Sequence, residues 1–287
     1  MRVLTVPNWS FGRDTDLLRR FDSILSERAV DVHYLASDVD HNRTVSAFSG
    51  STDAVEGCLI AMCGEAFDRV DLNRHVGVHP RIGALDVCPF VHPWRDDDND
   101  LHAWVESIGG AIAEKFEVPV FLYELSERGR HAADLPTLRK GGFGSLLDRK
   151  IEPDFGPNVA HERLGATVLG LRPFLIAINV NLKAEDGRVA KQIAKEIRDG
   201  RKAGDERFAG VRALGLAIPS REMSQVSLNL TQPDRTHLDS LVQTISVSAQ
   251  ALGTEVIGTE LIGVIRDVDM EHTTIVDVRP EQVIATR

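Results

Sequence analysis

Apolar positions recur along this chain with two periods, and the switches between them mark out strands and helices. Arg2 to Val6 reads as a buried strand stopped by Pro7, and Pro7-Asn8-Trp9-Ser10-Phe11-Gly12-Arg13 as a turn. Asp14 stands where it caps a helix whose apolar stripe is Leu17, Leu18, Phe21, Ile24 and Leu25. Strands are predicted over Val30 to Leu35 and Arg43 to Phe48, joined by the polar turn Asp38-Val39-Asp40-His41-Asn42. A second helix is predicted from Thr52 to Val70, striped by Val55, Leu59, Ile60, Met62 and Phe67, and the stretch His75 to Phe90 supplies a fourth strand. The order strand, helix, strand, strand, helix, strand is a split βαβ, or ferredoxin-like, unit.

Beyond it, the acidic run Arg95 to Asp100 reads as a solvated cap on a helix from Leu101 to Phe116, with no chemistry assigned. A strand over Val118 to Tyr123 follows, and from Glu124 to Phe155 the periodicity weakens, as in lids and binding loops. The second half is read as opening on Thr167-Val168-Leu169-Gly170 and running on into a strand through Phe174 to Leu182. Then come a helix from Glu185 to Lys202, strands Val211 to Ile218 and Gln225 to Leu230, a helix Arg235 to Leu252 and a strand Glu255 to Val264. The predicted fold class is α+β: two α/β sandwich subdomains, 1–172 and 173–287, each βαββαβ with helices packed on a sheet.

Composition narrows the partners. With 287 residues, 43% hydrophobic, the chain builds one large or two medium cores, and a formal charge of −10 disfavours duplex nucleic acid or an anionic membrane as the main partner. An anionic small molecule stays compatible if basic residues line a local cleft. Cys58, Cys63 and Cys88 make an odd, sparse set that suits a reducing cytoplasm, and neither a signal peptide nor a run of about 18 apolar residues is visible.

The chemistry gathers in His75 to Phe90. Pro80 restricts His79 to extended backbone, which orients an imidazole suited to proton transfer, and Arg81 and Asp86 share its loop, so that a carboxylate is expected to steer the ring. His75 and His79 stand four apart, the spacing of a helical metal pair, but Gly77 and Pro80 break such a helix, so no bound metal is expected. Lys140-Gly141-Gly142-Phe143-Gly144 lacks the strand-to-helix setting and the Gly-Lys-Ser/Thr ending of a phosphate loop, and Ser10 lacks the flanking glycines of a nucleophile elbow. Cys88 is expected to be a packed, inert thiol. Arg43, entering a strand, presents a fork fit for a substrate carboxylate.

Several of these stretches together resemble the glutamate formimidoyltransferase family, the formiminotransferase part of formiminotransferase-cyclodeaminase. They are Val6 to Arg13, Asp40-His41-Asn42-Arg43-Thr44-Val45, His79 through Phe90, Pro153 to Pro157, Gly165-Ala166-Thr167, Asn179 to Leu182, Gln225 to Leu230 and Gly258 to Leu261. The resemblance implies two α/β subdomains with folate lying between them, a homodimer, and transfer of a formimino group from N-formimino-L-glutamate to tetrahydrofolate as co-substrate. It implies His79 as the catalytic histidine, Asp38 as an assisting aspartate, and Arg43 and Arg81 as candidates for substrate carboxylates. The folate stretch is His161, Glu162, Arg163, Leu164, Gly165, Ala166, Thr167, Val168, Leu169 and Gly170, where Gly165 and its neighbours are expected to let backbone approach a flat ring. Phe11, Val76, Val78, Phe143 and Gly144 depart from the family's more polar pattern beside an intact base. They leave open a different formimino or formyl donor, or an inactive folate-binding homologue.

Overall fold

The computed structural model describes residues 1–94, 99–271 and 273–286. It divides into two units, Met1–Pro173 and Phe174–Arg287.

The first unit begins β1 (Arg2–Thr5), β2 (Asn8–Trp9), α1 (Thr15–Ser26), β3 (Val30–Asp38), β4 (Arg43–Ser51), α2 (Thr52–Arg69) and β5 (Leu85–Val91). The Asp14 carboxylate accepts from the Leu17 N–H at 2.9 Å, satisfying one of the donors that a helix start leaves unpaired, and Ser51 does the same for α2 through the Ala54 N–H at 3.2 Å. β3 pairs with β4, and β1 and β2 both lie between β4 and β5, as one strand interrupted at Val6 and Pro7. These antiparallel pairings form a ferredoxin-like sheet.

That sheet then grows. α3 (Asn99–Phe116) leads to β6 (Val120–Leu122), and after α4 (Leu135–Leu138) and α5 (Gly144–Leu147) the chain returns as β7 (Thr167–Leu171). β7 lies parallel between β5 and β6, with Val168 opposite both Val87 and Phe121. Thr167 to Gly170, read from sequence as the opening of the second half, thus belongs to the first sheet. The reason is burial: all five β7 residues are inside, and a strand flanked on both edges and covered on both faces carries a continuous apolar run wherever it stands in the chain. The acidic run expected to cap α3 lies outside the described residues, apart from the backbone of Asn99 and Asp100.

One face of the sheet is covered by α1, α2 and α3, whose Leu17, Phe21, Leu59, Met62, Ile108 and Ile112 pack against Phe48, Leu85, Phe90 and Leu169. On the other face, Val87, Phe121 and Val168 cluster with Ile82, Leu146, Ile151 and Ala160. The segment of weak periodicity is therefore docked by a few buried anchors, too widely spaced to leave a period in the sequence.

The second unit follows its predicted order: β8 (Ile176–Leu182), α6 (Arg188–Lys202), β9 (Val211–Ile218), β10 (Met223–Leu230), α7 (Leu238–Ala251) and β11 (Val256–Ile262). The antiparallel sheet runs β11-β8-β10-β9, the ferredoxin-like arrangement, with Ile193, Ile197, Leu241 and Ile245 of the helices in its core. Its three resemblance motifs become neighbours: Asn181 lies opposite Gln225 and Gly258, Asn179 opposite Ser227 and Glu260, and the Gln225 amide donates to Asn181 Oδ1 at 2.9 Å. β12 (Ile265–Arg266), α8 (Asp267–Met270) and β13 (Val283–Ile284) follow the last predicted strand, and β12 and β13 pair in parallel.

Candidate functional site

Three motifs from separate parts of the first unit interlock around the β3–β4 turn. Asn42 accepts from the Gly12 N–H at 2.8 Å and donates to the Val76 carbonyl at 3.1 Å, while the Val78 N–H donates to the Asp40 carbonyl at 3.1 Å. His75 donates from Nε2 to the Asn42 carbonyl at 2.7 Å, leaving Nδ1 to accept from Arg81. Arg81 also donates to the carbonyls of His79 and, at 3.3 Å, His41. A Cβ at Gly77 would lie 2.3 Å from the His41 carbonyl oxygen, so the loop reaches the turn this closely only with glycine there.

The interlock holds His79 against Arg43. Nδ1 of His79 is 2.9 Å from the Pro80 carbonyl, which only accepts, so Nδ1 carries the proton. Nε2 keeps its lone pair and takes the Arg43 Nη1–H at 2.9 Å. The ring is thus oriented by its neighbouring carbonyl, where the sequence suggested a carboxylate. Asp86 is engaged elsewhere: one oxygen accepts from the Ile82 N–H at 2.8 Å, and the other is 2.5 Å from Arg139 Nη2. Asp38 stands opposite Arg43 in the β3–β4 register, and its Oδ1 accepts from the Asp40 and His41 N–H groups at 2.9 and 2.8 Å, shaping the turn. The His41 ring lies 5.9 Å from that of His79.

Burial, then the positive charges of Arg43 and Arg139, hold the His79 imidazole well below its usual range. Burial and the Arg139 charge push Arg43 down to about 10, and burial alone outweighs the Asp86 carboxylate at Arg81, also down to about 10. Both guanidiniums stay charged at neutral pH while His79 is neutral. Because the folded state binds the His79 proton less readily than the unfolded chain, its contribution to stability is complete above the ordinary imidazole pKa of about 6.5 and declines as the pH falls below it. The melting temperature of the wild type is therefore expected to drop between pH 7.5 and 5.5. A His79→Gln variant with an equally steep drop would show that another group is responsible.

The expected folate stretch lies next to this loop: His161 to Ala166 lead into β7, and Thr167 to Gly170 are part of that strand. His161 and Gly165 exchange backbone hydrogen bonds at 2.9 and 2.8 Å, and the Arg163 guanidinium reaches the Phe67, Asp68 and Val70 carbonyls at the end of α2. Glu162 is exposed, while Leu164 through Gly170 are all buried, Val168 and Leu169 within the sheet. Gly165, at φ +72°, places its α-carbon against the Ile82 carbonyl, where a Cβ would sit 1.9 Å from the oxygen. Glycine thus permits a close approach to the chain's own backbone here. The Ala166 N–H donates to the same carbonyl at 2.9 Å, so the segment Gly165-Ala166-Thr167 braces the loop three residues beyond His79. Thr167 Oγ1 is buried with no hydrogen-bond partner among the described residues.

Other expectations resolve simply. Ser10 donates to the Gly83 carbonyl at 2.6 Å, and Cys88 is fully buried, its thiol pushed up to about 12 by burial. Lys140 to Gly144 runs from α4 into α5, with no strand before it. A cavity of about 230 Å³ on the Asn42 and His75 side of the loop is lined by Arg13, Arg69 and Arg74 among others. Arg139 was not picked out from sequence; its signal was only an arginine beside Leu138, one of the half-buried leucines that pack against the second cluster.

Residues 2–172 match the family described as formiminotransferase domain, N-terminal subdomain, and residues 177–275 that described as formiminotransferase domain. Formimidoyltransferase-cyclodeaminase of Sus scrofa is 35% identical over 274 residues, which cover 92% of this chain and 50% of that protein. Glutamate formimidoyltransferase of Thermoplasma acidophilum is 32% identical over 92% of this chain and 88% of its own length, and that of Streptococcus pyogenes serotype M1 is 31% identical over 91% and 88%. The chain spans about half the length of the formimidoyltransferase-cyclodeaminases it matches. Since the matches run through both units and include the interlocked loops around His79, the chain belongs to the formiminotransferase family of transferases.

Proposed function

We propose that this protein transfers the formimino group of N-formimino-L-glutamate to N5 of tetrahydrofolate, giving 5-formiminotetrahydrofolate and L-glutamate. The observation that supports it most directly is the neutral, oriented imidazole of His79 facing Arg43 through Nε2. An anionic donor fits the arginines gathered there. A substrate carboxylate taken by Arg43 draws that guanidinium away from Nε2 and frees the lone pair beside the reacting atoms. His79 then removes the N5 proton as the N5–carbon bond forms. It returns the proton to the glutamate nitrogen as the carbon–nitrogen bond of the donor breaks, a role worth roughly 10²- to 10⁴-fold. Asp38 supports the positive charge that develops beside Arg43, and Arg81 keeps the loop in place.

A second donor is favoured by one observation. Val76 and Val78, on either side of Gly77, are exposed apolar residues on the site loop, at 70% and 38%. A less polar amine suits that rim. The test is to mix the protein and tetrahydrofolate with formiminoglutamate, formiminoglycine and formylglutamate in turn, following the absorbance of the folate product. Turnover fastest with formiminoglutamate is the expected result; turnover with another donor alone selects the second reading. Calorimetry that finds no folate binding to folded protein overturns both.

A further inference from the structure

The segment that covers the second face of the first sheet carries Arg139 inward, with its side chain 12% exposed. α4 is a single turn, started by Asp134, whose carboxylate accepts from the Thr137 N–H at 3.0 Å, and Leu135 and Leu138 pack against the cluster that contains Ile82 and Val87. Arg139 ends that turn, and the chain reverses through Gly141 and Gly142. Its Nη2 is 2.5 Å from Asp86 Oδ2, with the two side chains 12% and 4% exposed, and its Nε is buried without a hydrogen-bond partner among the described residues. Asp86 therefore decides where the guanidinium sits, and its other oxygen fixes the Ile82 N–H in the loop that follows His79.

Besides the Pro80 carbonyl, three side chains from three elements act on His79: Arg43 from β4, Arg139 from the covering segment and His41 from the β3–β4 turn. Arg43 in turn feels the charge of Arg139, which lowers its pKa, and those of Asp86 of β5 and of Tyr34 and Asp38 of β3, which raise it, while Arg81, on the His79 loop itself, donates to the His79 carbonyl. Of these, Arg139 alone is supplied by the covering segment, and it belongs to none of the interlocked motifs.

We propose that Arg139 is a positioning residue for the transfer: clamped to Asp86, it brings a fixed guanidinium to the Arg43–His79 pair, so that the geometry and charge around His79 depend on the docked segment. This rests on the reading of His79 as the acid-base group, and two readouts keep the two ideas apart. The first is the titration of the His79 ring by NMR on the full chain, assigned with His79→Gln, which needs no catalysis. Arg139→Met is expected to move the midpoint to higher pH, because one of the charges opposing the imidazolium is gone, whereas Arg139→Lys leaves it close to wild type. The second is the pH dependence of kcat/KM. Its acid limb should move upward in Arg139→Met, with kcat reduced roughly 10- to 100-fold, the loss expected when a reactive group shifts by about an ångström. KM for folate should change little. If Arg139→Met does not fold, Arg139→Gln is read in its place, with the same expected shift. An unchanged His79 midpoint in the neutral variant, or a lysine variant that matches it in both readouts, overturns the proposal. A shifted midpoint in a protein whose wild type transfers no formimino group overturns the function and leaves the placement of Arg139 standing.

Discussion

Replacing His79 with alanine is expected to lower saturated turnover by roughly 10²- to 10⁴-fold while leaving folate affinity nearly unchanged, since a proton shuttle acts mainly on the transition state. Asparagine should be almost as damaging: it restores a hydrogen-bonding group of similar reach but no titratable nitrogen. The structure sharpens this expectation, because Nδ1 is already committed to the Pro80 carbonyl and Nε2 is the nitrogen left to take a proton. A packing role predicts something different. His79 as a residue is half-buried and both ring nitrogens make polar contacts, so its loss should cost the fold little. Saturated turnover of His79→Ala within a few-fold of wild type, in protein with unaltered tryptophan fluorescence, would end the general-base assignment whichever donor proves correct.

How much of this was legible in the sequence depends on how far apart the partners lie. The doubled βαββαβ pattern was readable because each helix and strand announces itself over a few residues, as Leu17, Phe21 and Leu25 do for α1. The parallel extension of the first sheet was not. Val87 and Val168 pair across about eighty residues, and a buried run such as Thr167–Leu171 has the same composition whichever sheet it joins. The site loop was visible through Pro80, Gly77 and the clustering of His79, Arg81 and Asp86. Their division of labour was not visible, since it is set by contacts to Asn42, Arg43 and Arg139 that no local pattern encodes. Asp86 looked like the partner of a nearby histidine, whereas folding gave it an arginine 53 residues away. Gly165 shows the same limit: sequence reveals a position that needs glycine, and only the fold reveals the approach of its backbone to Ile82.

The largest stability effect is expected at that ion pair. Asp86→Asn keeps an oxygen able to accept from the Ile82 N–H and removes both the charge and the acceptor opposite Arg139. A guanidinium left in a nearly closed site without its carboxylate should cost about 3–5 kcal/mol, most of it the penalty for an uncompensated charge. All three tryptophans, Trp9, Trp94 and Trp104, lie in Met1–Pro173, so intrinsic fluorescence follows this unit during urea unfolding. For a unit of this size each kcal/mol corresponds to roughly 2–4 °C in melting temperature, which puts the expected drop near 6–20 °C. The double variant Asp86→Asn with Arg139→Met should recover at least half of the loss, because removing both charges relieves the desolvation that removing one exposes. Strict additivity of the two single changes would mean that the side chains do not feel each other. The short contact between them would then carry no energy, and Arg139 would have to be held against the His79 loop by the packing of Leu135 and Leu138 alone.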